Sequence, residues 1–337
     1  MIKYPFLEKG TTIGVTAPSS GVPTELHELL KAACSRMETK GYKVICGDTA
    51  WTQDKARSAS AKKRAEEFNK MMLDEDIHII IPPWGGELLI ETLEYIDFEN
   101  IQTKWVLGYS DISLLLLAIT LKTGIATAHG TNLVDLRGEY SDDTTAMWQK
   151  VLSLKKGESI LQCSSDKYQK EWQFDKPTPY VFNFTEKTEW KSISNNRIKI
   201  QGRLLGGCID TIRHLIGTTF GEVKKFKEYY IKGESVIWFF ENCELSTTAL
   251  RRSLVQMKLA GWFENCSGVM FGRSPANTPV RNYTVEDVYR ELSEELQIPI
   301  IYDIDCGHVP PQMTLINGAH AEVESDSGKG EILQYFK

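Results

Sequence analysis

The sequence predicts an α/β protein of two domains, the first built on an open, doubly wound parallel sheet. Three observations carry that prediction. At 337 residues the chain exceeds the size at which a single hydrophobic core usually keeps growing. Its first half alternates short apolar, β-rich runs with longer helical stretches, the pattern of βα units around a parallel sheet. Two runs, Ile77-His78-Ile79-Ile80-Ile81 and Trp105-Val106-Leu107, are apolar on both alternating faces, as strands covered by helices on each side must be.

In chain order, the first domain (1–153) carries its alternating elements at 12–16, 25–40, 42–46, 61–72, 77–81, 88–93 and 105–107. From 154 to 197 the pattern dissolves into Lys, Ser, Asp, Thr and Pro with scattered aromatics, and this stretch reads as a linker excursion. Order returns in a second α/β domain (198–337), with elements at 198–201, 211–216, 235–240, 247–259, 268–271, 285–295, 299–304, 321–323 and 332–335. That arrangement implies more antiparallel pairing than in the first domain.

Composition narrows the function classes. The hydrophobic share is 42% and the charged share 25%, close to soluble globular averages, and no stretch approaches the apolar length of a membrane span. The first ten residues lack the apolar run of a secretory signal, so the expected location is the cytoplasm, with no membrane partner. Seven cysteines without a C-x-x-C pair argue for reduced thiols and against a zinc ribbon. The net charge of −6, with no dense basic run, disfavours a nucleic-acid polymer as partner.

Three polar residues stand at strand ends. The strand ending at Leu107 runs into Gly108-Tyr109-Ser110-Asp111, and the apolar run after it has helical length. A turn of this kind lifts a serine oxygen onto a helix start, where backbone amides favour developing negative charge. Ile112 stands where the second glycine of G-x-S-x-G would be, and the same serine would also serve as an ordinary helix N-cap. Glu241 follows the buried-looking run Val236-Ile237-Trp238-Phe239-Phe240, at the edge where open α/β sheets bind ligands. As a lone carboxylate it would equally cap a helix starting near Ser246, and Glu244 is an available neighbour. His308 lies beyond another strand, between Gly307 and Pro310-Pro311, where the backbone has little freedom. Together they supply a nucleophile, a general base and an orienting acid. Pro82-Pro83-Trp84-Gly85-Gly86-Glu87 offers glycine amides for an oxyanion hole, with Gly86 and the amide of Asp111 as donors and Gly85 against the substrate.

At these residues the chain resembles the LD-carboxypeptidase family of serine peptidases, which includes muramoyltetrapeptide carboxypeptidases and microcin C immunity peptidases. The resemblance spans nearly the whole chain. It is carried by Val15-Thr16-Ala17-Pro18-Ser19-Ser20, Gly85-Gly86, Leu107-Gly108-Tyr109-Ser110-Asp111-Ile112, Thr127-Ala128-His129-Gly130, Gly202-Arg203-Leu204-Leu205-Gly206-Gly207, Phe239-Phe240-Glu241-Asn242, Gly268-Val269-Met270-Phe271-Gly272-Arg273 and Gly307-His308. It implies a Ser110, His308, Glu241 triad, cleavage beside a terminal carboxylate, a homodimer, no metal and no cofactor. It also implies a cleft between the first domain and a smaller C-terminal one. The substrate expected first is a murein tetrapeptide. Trp84 and Glu87 flank the glycine pair where the murein-directed branch tends to show Arg and an aromatic, and the long linker looks closer to the immunity branch. That branch cleaves peptidyl or aminoacyl nucleotides and stacks the base on tryptophan, a part that Trp190, or after it Trp172, would play here, the alternative being that both are ordinary packing residues covering the linker.

Two other classes are considered. A dinucleotide-binding oxidoreductase needs G-x-G-x-x-G after the first strand, and Gly14-Val15-Thr16-Ala17-Pro18-Ser19 lacks it. Ser19 and Ser20 are expected to cap the next helix or to bind an anionic group at its start. A two-domain solute-binding module would use the same three residues only as hydrogen-bonding groups. Cys306 with His308 forms a C-x-H pair without a matching second pair, and His129 and Cys208 are expected to be mainly structural. Arg203, Arg213 and Arg273 all lie near family-like segments, and the cation that would grip a substrate carboxylate is left open among them.

Overall fold

The computed structural model describes residues 1–171, 178–194 and 196–337. Five apolar runs of the first half become β1 (Thr12–Val15), β2 (Lys43–Cys46), β3 (Ile79–Ile80), β4 (Trp105–Gly108) and β5 (Thr127–His129). They pair in parallel in the spatial order β2-β1-β3-β4-β5. The direction of winding reverses between β1 and β3, and open α/β sheets bind ligands beyond the carboxyl ends of the strands at such a reversal. The loops after β1, β3 and β4 border that crevice, and they carry Ser19, Gly85 and Ser110.

The intervening helices form where apolar residues recur every three to four positions. Helix His27–Thr39 buries Leu30, Ala33 and Met37. Helix Ala61–Leu73 starts at Ser60, whose side chain accepts a bond from the Lys63 amide, and buries Ala65, Phe68, Met71 and Met72. Helix Ile112–Thr123 is different. Every residue from Ile112 to Leu121 is buried, because one side faces the first sheet and the other faces the second. It stops at Gly124, whose φ of 69° is the left-handed cap that glycine supplies.

The stretch 154–197, expected as a linker without strand period, holds β6 (Ser159–Cys163), β7 (Lys167–Tyr168), β8 (Glu186–Lys187) and β9 (Lys191–Ser192). β7 and β8 pair with each other, while β6 and β9 close opposite edges of the second sheet. They escape notice in the sequence because edge strands this short bury little: the five residues of β6 bury only Gln162.

The second sheet is completed by β10 (Ile198–Cys208), β11 (Val236–Glu241), β12 (Cys266–Gly272) and β13 (Ile300–Ile304), and by β15 (His320–Asp326) and β16 (Lys329–Tyr335). Its order is β6-β16-β15-β10-β11-β12-β13-β9, parallel from β10 to β13 and antiparallel on either flank. Between β13 and β15 the chain crosses back, and β14 (Leu315–Asn317) adds antiparallel to β5 in the first sheet. Asn317 fastens the crossing, accepting the Gly206 amide of β10 at 2.9 Å.

Gly206 has no room for a side chain: a Cβ there would run into the Phe239 backbone carbonyl of the adjacent strand. Gly206→Ala is expected to lower the chemical denaturation midpoint, corresponding to ~1–3 kcal/mol or more for a forced core insertion. An unchanged midpoint would contradict this packing.

Candidate active site

Ser110 sits in the three-residue turn between β4 and helix Ile112–Thr123, with φ of 64°. That left-handed conformation is costly for a residue with a Cβ, and it is held by the turn itself, whose Ser110 carbonyl accepts the Ser113 amide at 2.9 Å. It turns the hydroxyl out of the strand line at the start of a helix, as in a nucleophile elbow.

His308 connects this hydroxyl to a carboxylate on the second sheet. Its Nε2 lies 3.0 Å from Ser110 Oγ, and its Nδ1 lies 2.8 Å from Glu241 Oε2. Glu241 is the last residue of β11 and is buried, whereas Glu244 is exposed in the following turn. The His308 loop follows β13 and begins at Gly307, with φ of 100°. Gln312 clamps it, accepting the Gly307 amide at 3.0 Å and donating to the Gly307 carbonyl. The Tyr109 ring meets the imidazole edge-on at 5.1 Å, and its hydroxyl donates to Asp135 Oδ2 at 3.1 Å.

Burial opposes charge on both partners, but their mutual attraction overcomes it. Burial pulls the His308 imidazolium down, yet the Glu241 carboxylate and hydrogen bonds to Cys243 and Glu241 leave His308 well above the ordinary histidine value. Burial pushes the Glu241 carboxyl up, yet the charge and hydrogen bond of His308 hold it below the usual carboxylate range.

Gly85 packs directly on the serine: a Cβ there would lie 2.5 Å from Ser110 Cβ and 3.1 Å from the Asp111 amide nitrogen. Gly86 adopts φ of 147°, and a Cβ would strike the Ser19 and Ser20 hydroxyls. The glycine pair therefore brings bare backbone to the nucleophile and to the Asp111 amide. The loop is anchored along its length. Leu133 and Val134 amides donate to the Pro82 and Pro83 carbonyls at 3.1 and 3.2 Å, and the Ser20 amide to Gly85 O at 3.3 Å. The Asp111 side chain, which sequence reasoning passed over, accepts Ser19 Oγ at 2.5 Å and the Leu89 amide at 2.9 Å. Ser19 and Ser20 thus cap no helix; the residue before the next helical turn is Pro23.

Other residues singled out from sequence lie elsewhere. Trp190 is no exposed platform: it is buried, donates from Nε1 to Asp305 Oδ2 at 3.0 Å, and packs where Gly330 lacks a Cβ. Trp172 lies outside the described residues. Arg203 pairs with Glu234 at 2.6 Å, Arg273 with Asp305 at 2.8 Å, and Arg213 reaches the Asp210 carbonyl and Ser253. Cys306 faces His129 rather than His308, with Sγ 3.7 Å from Nδ1. Among the described residues no group of three or more His, Cys, Asp or Glu is placed to hold a metal. No described helix is long and apolar enough to cross a membrane.

Residues 13–130 match the model of the LD-carboxypeptidase N-terminal domain, and residues 201–323 match that of the LD-carboxypeptidase C-terminal domain. The chain is 26% identical to the microcin C7 self-immunity protein MccF of Escherichia coli, over 98% of this chain and 95% of that protein. It is 24% identical to a probable murein peptide carboxypeptidase of Bacillus subtilis, over 95% and 90%. A structure of the self-immunity protein in complex with aspartyl sulfamoyl adenosine has the same fold, with a TM-score of 0.81 at 22% identity over 100% of this chain and 99% of that one.

At Gly307 a Cβ would fall 2.5 Å from Glu241 Cβ and 2.7 Å from its Oε2. Gly307→Ala is therefore expected to separate the imidazole from the carboxylate and to lower the His308 pKa toward the ordinary histidine value, measured by NMR titration. A His308 titration identical to that of the wild type would refute this contact.

Proposed function

Because the chain belongs to the LD-carboxypeptidase family, we propose that it is a serine carboxypeptidase, hydrolysing an amide bond beside a terminal carboxylate through an acyl-enzyme on Ser110. The observation that carries this reading is the His308 imidazole, hydrogen-bonded at once to Ser110 Oγ and to buried Glu241.

In this mechanism Ser110 Oγ attacks the scissile carbonyl as His308 Nε2 takes its proton. Glu241 keeps the imidazole in the Nδ1–H tautomer and stabilises the imidazolium as it forms. The carbonyl oxygen becomes an oxyanion facing the Gly86 and Asp111 amides, each such donor typically worth ~3 kcal/mol in the transition state. Collapse breaks the C–N bond, and the leaving amine takes the proton from Nε2. Water, activated by the same nitrogen, then hydrolyses the acyl-enzyme and restores Ser110.

Murein tetrapeptide is the first substrate proposed, with release of its terminal D-alanine. The likeness to the microcin C7 self-immunity protein over nearly its whole length supports a second, a peptidyl or aminoacyl nucleotide. Trp190 is too buried to stack a base, so a nucleotide would be held by other groups.

A fluorophosphonate is expected to add one equivalent to the wild type by intact-mass analysis and none to Ser110→Ala. Labelling of the alanine variant at another residue would sink the assignment of the nucleophile. Release of D-alanine from a murein tetrapeptide, against cleavage of an aminoacyl sulfamoyl adenosine, decides between the substrates. Glu241→Gln is expected to cut kcat on the order of 10⁴-fold while leaving KM within a few-fold. Since His308 acts as base only when neutral and its pKa is raised by Glu241, kcat/KM should climb with pH through a limb above the ordinary histidine value. In Glu241→Gln the residual activity should show that limb at lower pH; an unmoved limb would mean that another group controls it.

A further inference from the structure

Resting on that reading of the site, we infer that His129 is a positioning residue behind the triad, supplying the N–H donor that holds the second oxygen of Glu241. The triad uses only Oε2. Among the described residues, buried Oε1 has no hydrogen-bond partner, and the Nε2 of fully buried His129 is equally unpartnered. The Cys208 thiol also lies close enough to the carboxylate to steady its charge as a weak sulfur donor, but it is shared with Asp210 Oδ2 at 3.4 Å and leaves room for a stronger N–H donor. Leaving a buried donor and a buried acceptor both unmatched is costly, so two such groups in one space are expected to serve each other, directly or through an ordered water.

Several contacts put the two groups in that space. Glu241 and Phe239 are alternate residues of β11 and project to the same face. The His129 ring meets Phe239 edge-on at 5.4 Å between centroids, and its charge state is coupled to that of Glu241. From the other side, a Cβ on Gly207 would lie 3.6 Å from His129 Cδ2 and 3.0 Å from Ser113 Oγ, a third buried polar atom without a partner among the described residues. Gly207 immediately precedes Cys208, which pairs with Glu241 across β10 and β11. The three unmatched groups thus line one seam between the helix that starts at the nucleophile and the strand that ends in the acid.

The other nitrogen fits that role. Cys306 is buried and held in the thiol form, and its Sγ lies 3.7 Å from His129 Nδ1. A thiol donating to Nδ1 leaves the ring proton on Nε2. Burial pushes His129 down to about 4, so the ring is neutral at the pH where the triad would work. A neutral donor steadies the Glu241 carboxylate without competing for its charge, which stays available to His308. The titratable groups facing His129 and Glu241 are His308 and Cys306 in the loop after β13, Cys208 at the end of β10 and Tyr109 after β4.

Two variants and one spectroscopic measurement test the inference. His129→Leu removes the donor, whereas His129→Gln keeps an N–H within similar reach. The leucine variant is expected to lose about 10- to 100-fold in kcat, the effect of one hydrogen bond to a charged group, with KM within about twofold. Glu241 becomes more basic without the donor and holds the His308 proton more tightly, so the acid limb of kcat/KM should move to higher pH in His129→Leu and stay in place in His129→Gln. Turnover of His129→Leu at the wild-type level, or an equal loss in both variants with no movement of the limb, would overturn the assignment. The ¹⁵N shifts of His129 in the wild type are expected to show a protonated Nε2 and a bare Nδ1 at neutral pH; the opposite tautomer would overturn it without any variant having to fold. This spectrum also separates the two proposals, because absence of turnover on every substrate would defeat the functional reading and leave the tautomer to be judged by itself.

Discussion

The molecule depends on the complete burial of one helix. From Ile112 to Leu121 no side chain of helix Ile112–Thr123 reaches solvent, and seven of these positions are leucine or isoleucine, each contributing on the order of 2 kcal/mol when removed from water. A helix that is apolar all round cannot lie on one sheet with its outer face wet. It must be roofed, and the roof is the second sheet, through β10 and the segment that follows it. The apolar cluster that includes this helix runs from Ile2 to Phe336 and draws on both sheets. The two sheets are thus locked around the element whose first turn displays Ser110.

Placement of the candidate triad follows from that roofing. Ser110 rides on the buried helix, Glu241 ends the strand beside the one packed on it, and His308 is suspended from β13 by Gly307 and Gln312. A displacement of about 1 Å can cost ~100-fold in a reaction of this kind, so the tolerances must be set by packing and not by the three polar side chains. Glycine is used where backbones must touch: Gly85 on the serine, Gly206 on β11 and Gly307 on the glutamate. Each is a position at which one methyl group would push apart two parts of the site.

Much of this was legible in the amino-acid order because strand ends announce themselves. Ser110, Glu241 and His308 each follow an apolar run, and the structure brings them together. The helix Thr247–Leu259 lies where the sequence placed it, while the expected strand at 198–201 extends to Cys208 because Arg203 to Cys208 pair with β11 after Ile198 to Arg203 have paired with β15. What stayed hidden depends on partners remote in sequence. Trp190 stays open in the sequence between stacking platform and packing residue, because nothing near it in the chain signals that Gly330 makes room for its ring. Asp111 was noted for its amide, and its side chain gained meaning only when Ser19 and Leu89 were seen to converge on it. His129 looked like packing because an unmatched buried nitrogen has no signature in a string of letters.

The crossing of the chain at β14 bears on how the protein must be made. Until residue 317 has left the ribosome, β5 is an open sheet edge, and until β10 and the segment after it have followed, the Ile112–Thr123 helix has no roof. Open edges and uncovered apolar helices are the surfaces through which nascent chains stick to one another. The first half therefore keeps an uncovered sheet edge through the translation of nearly two hundred further residues. Splitting the chain between the two sheets would leave both the β5 edge and the roofed face of this helix bare in the first fragment, although the family models divide the chain near that place.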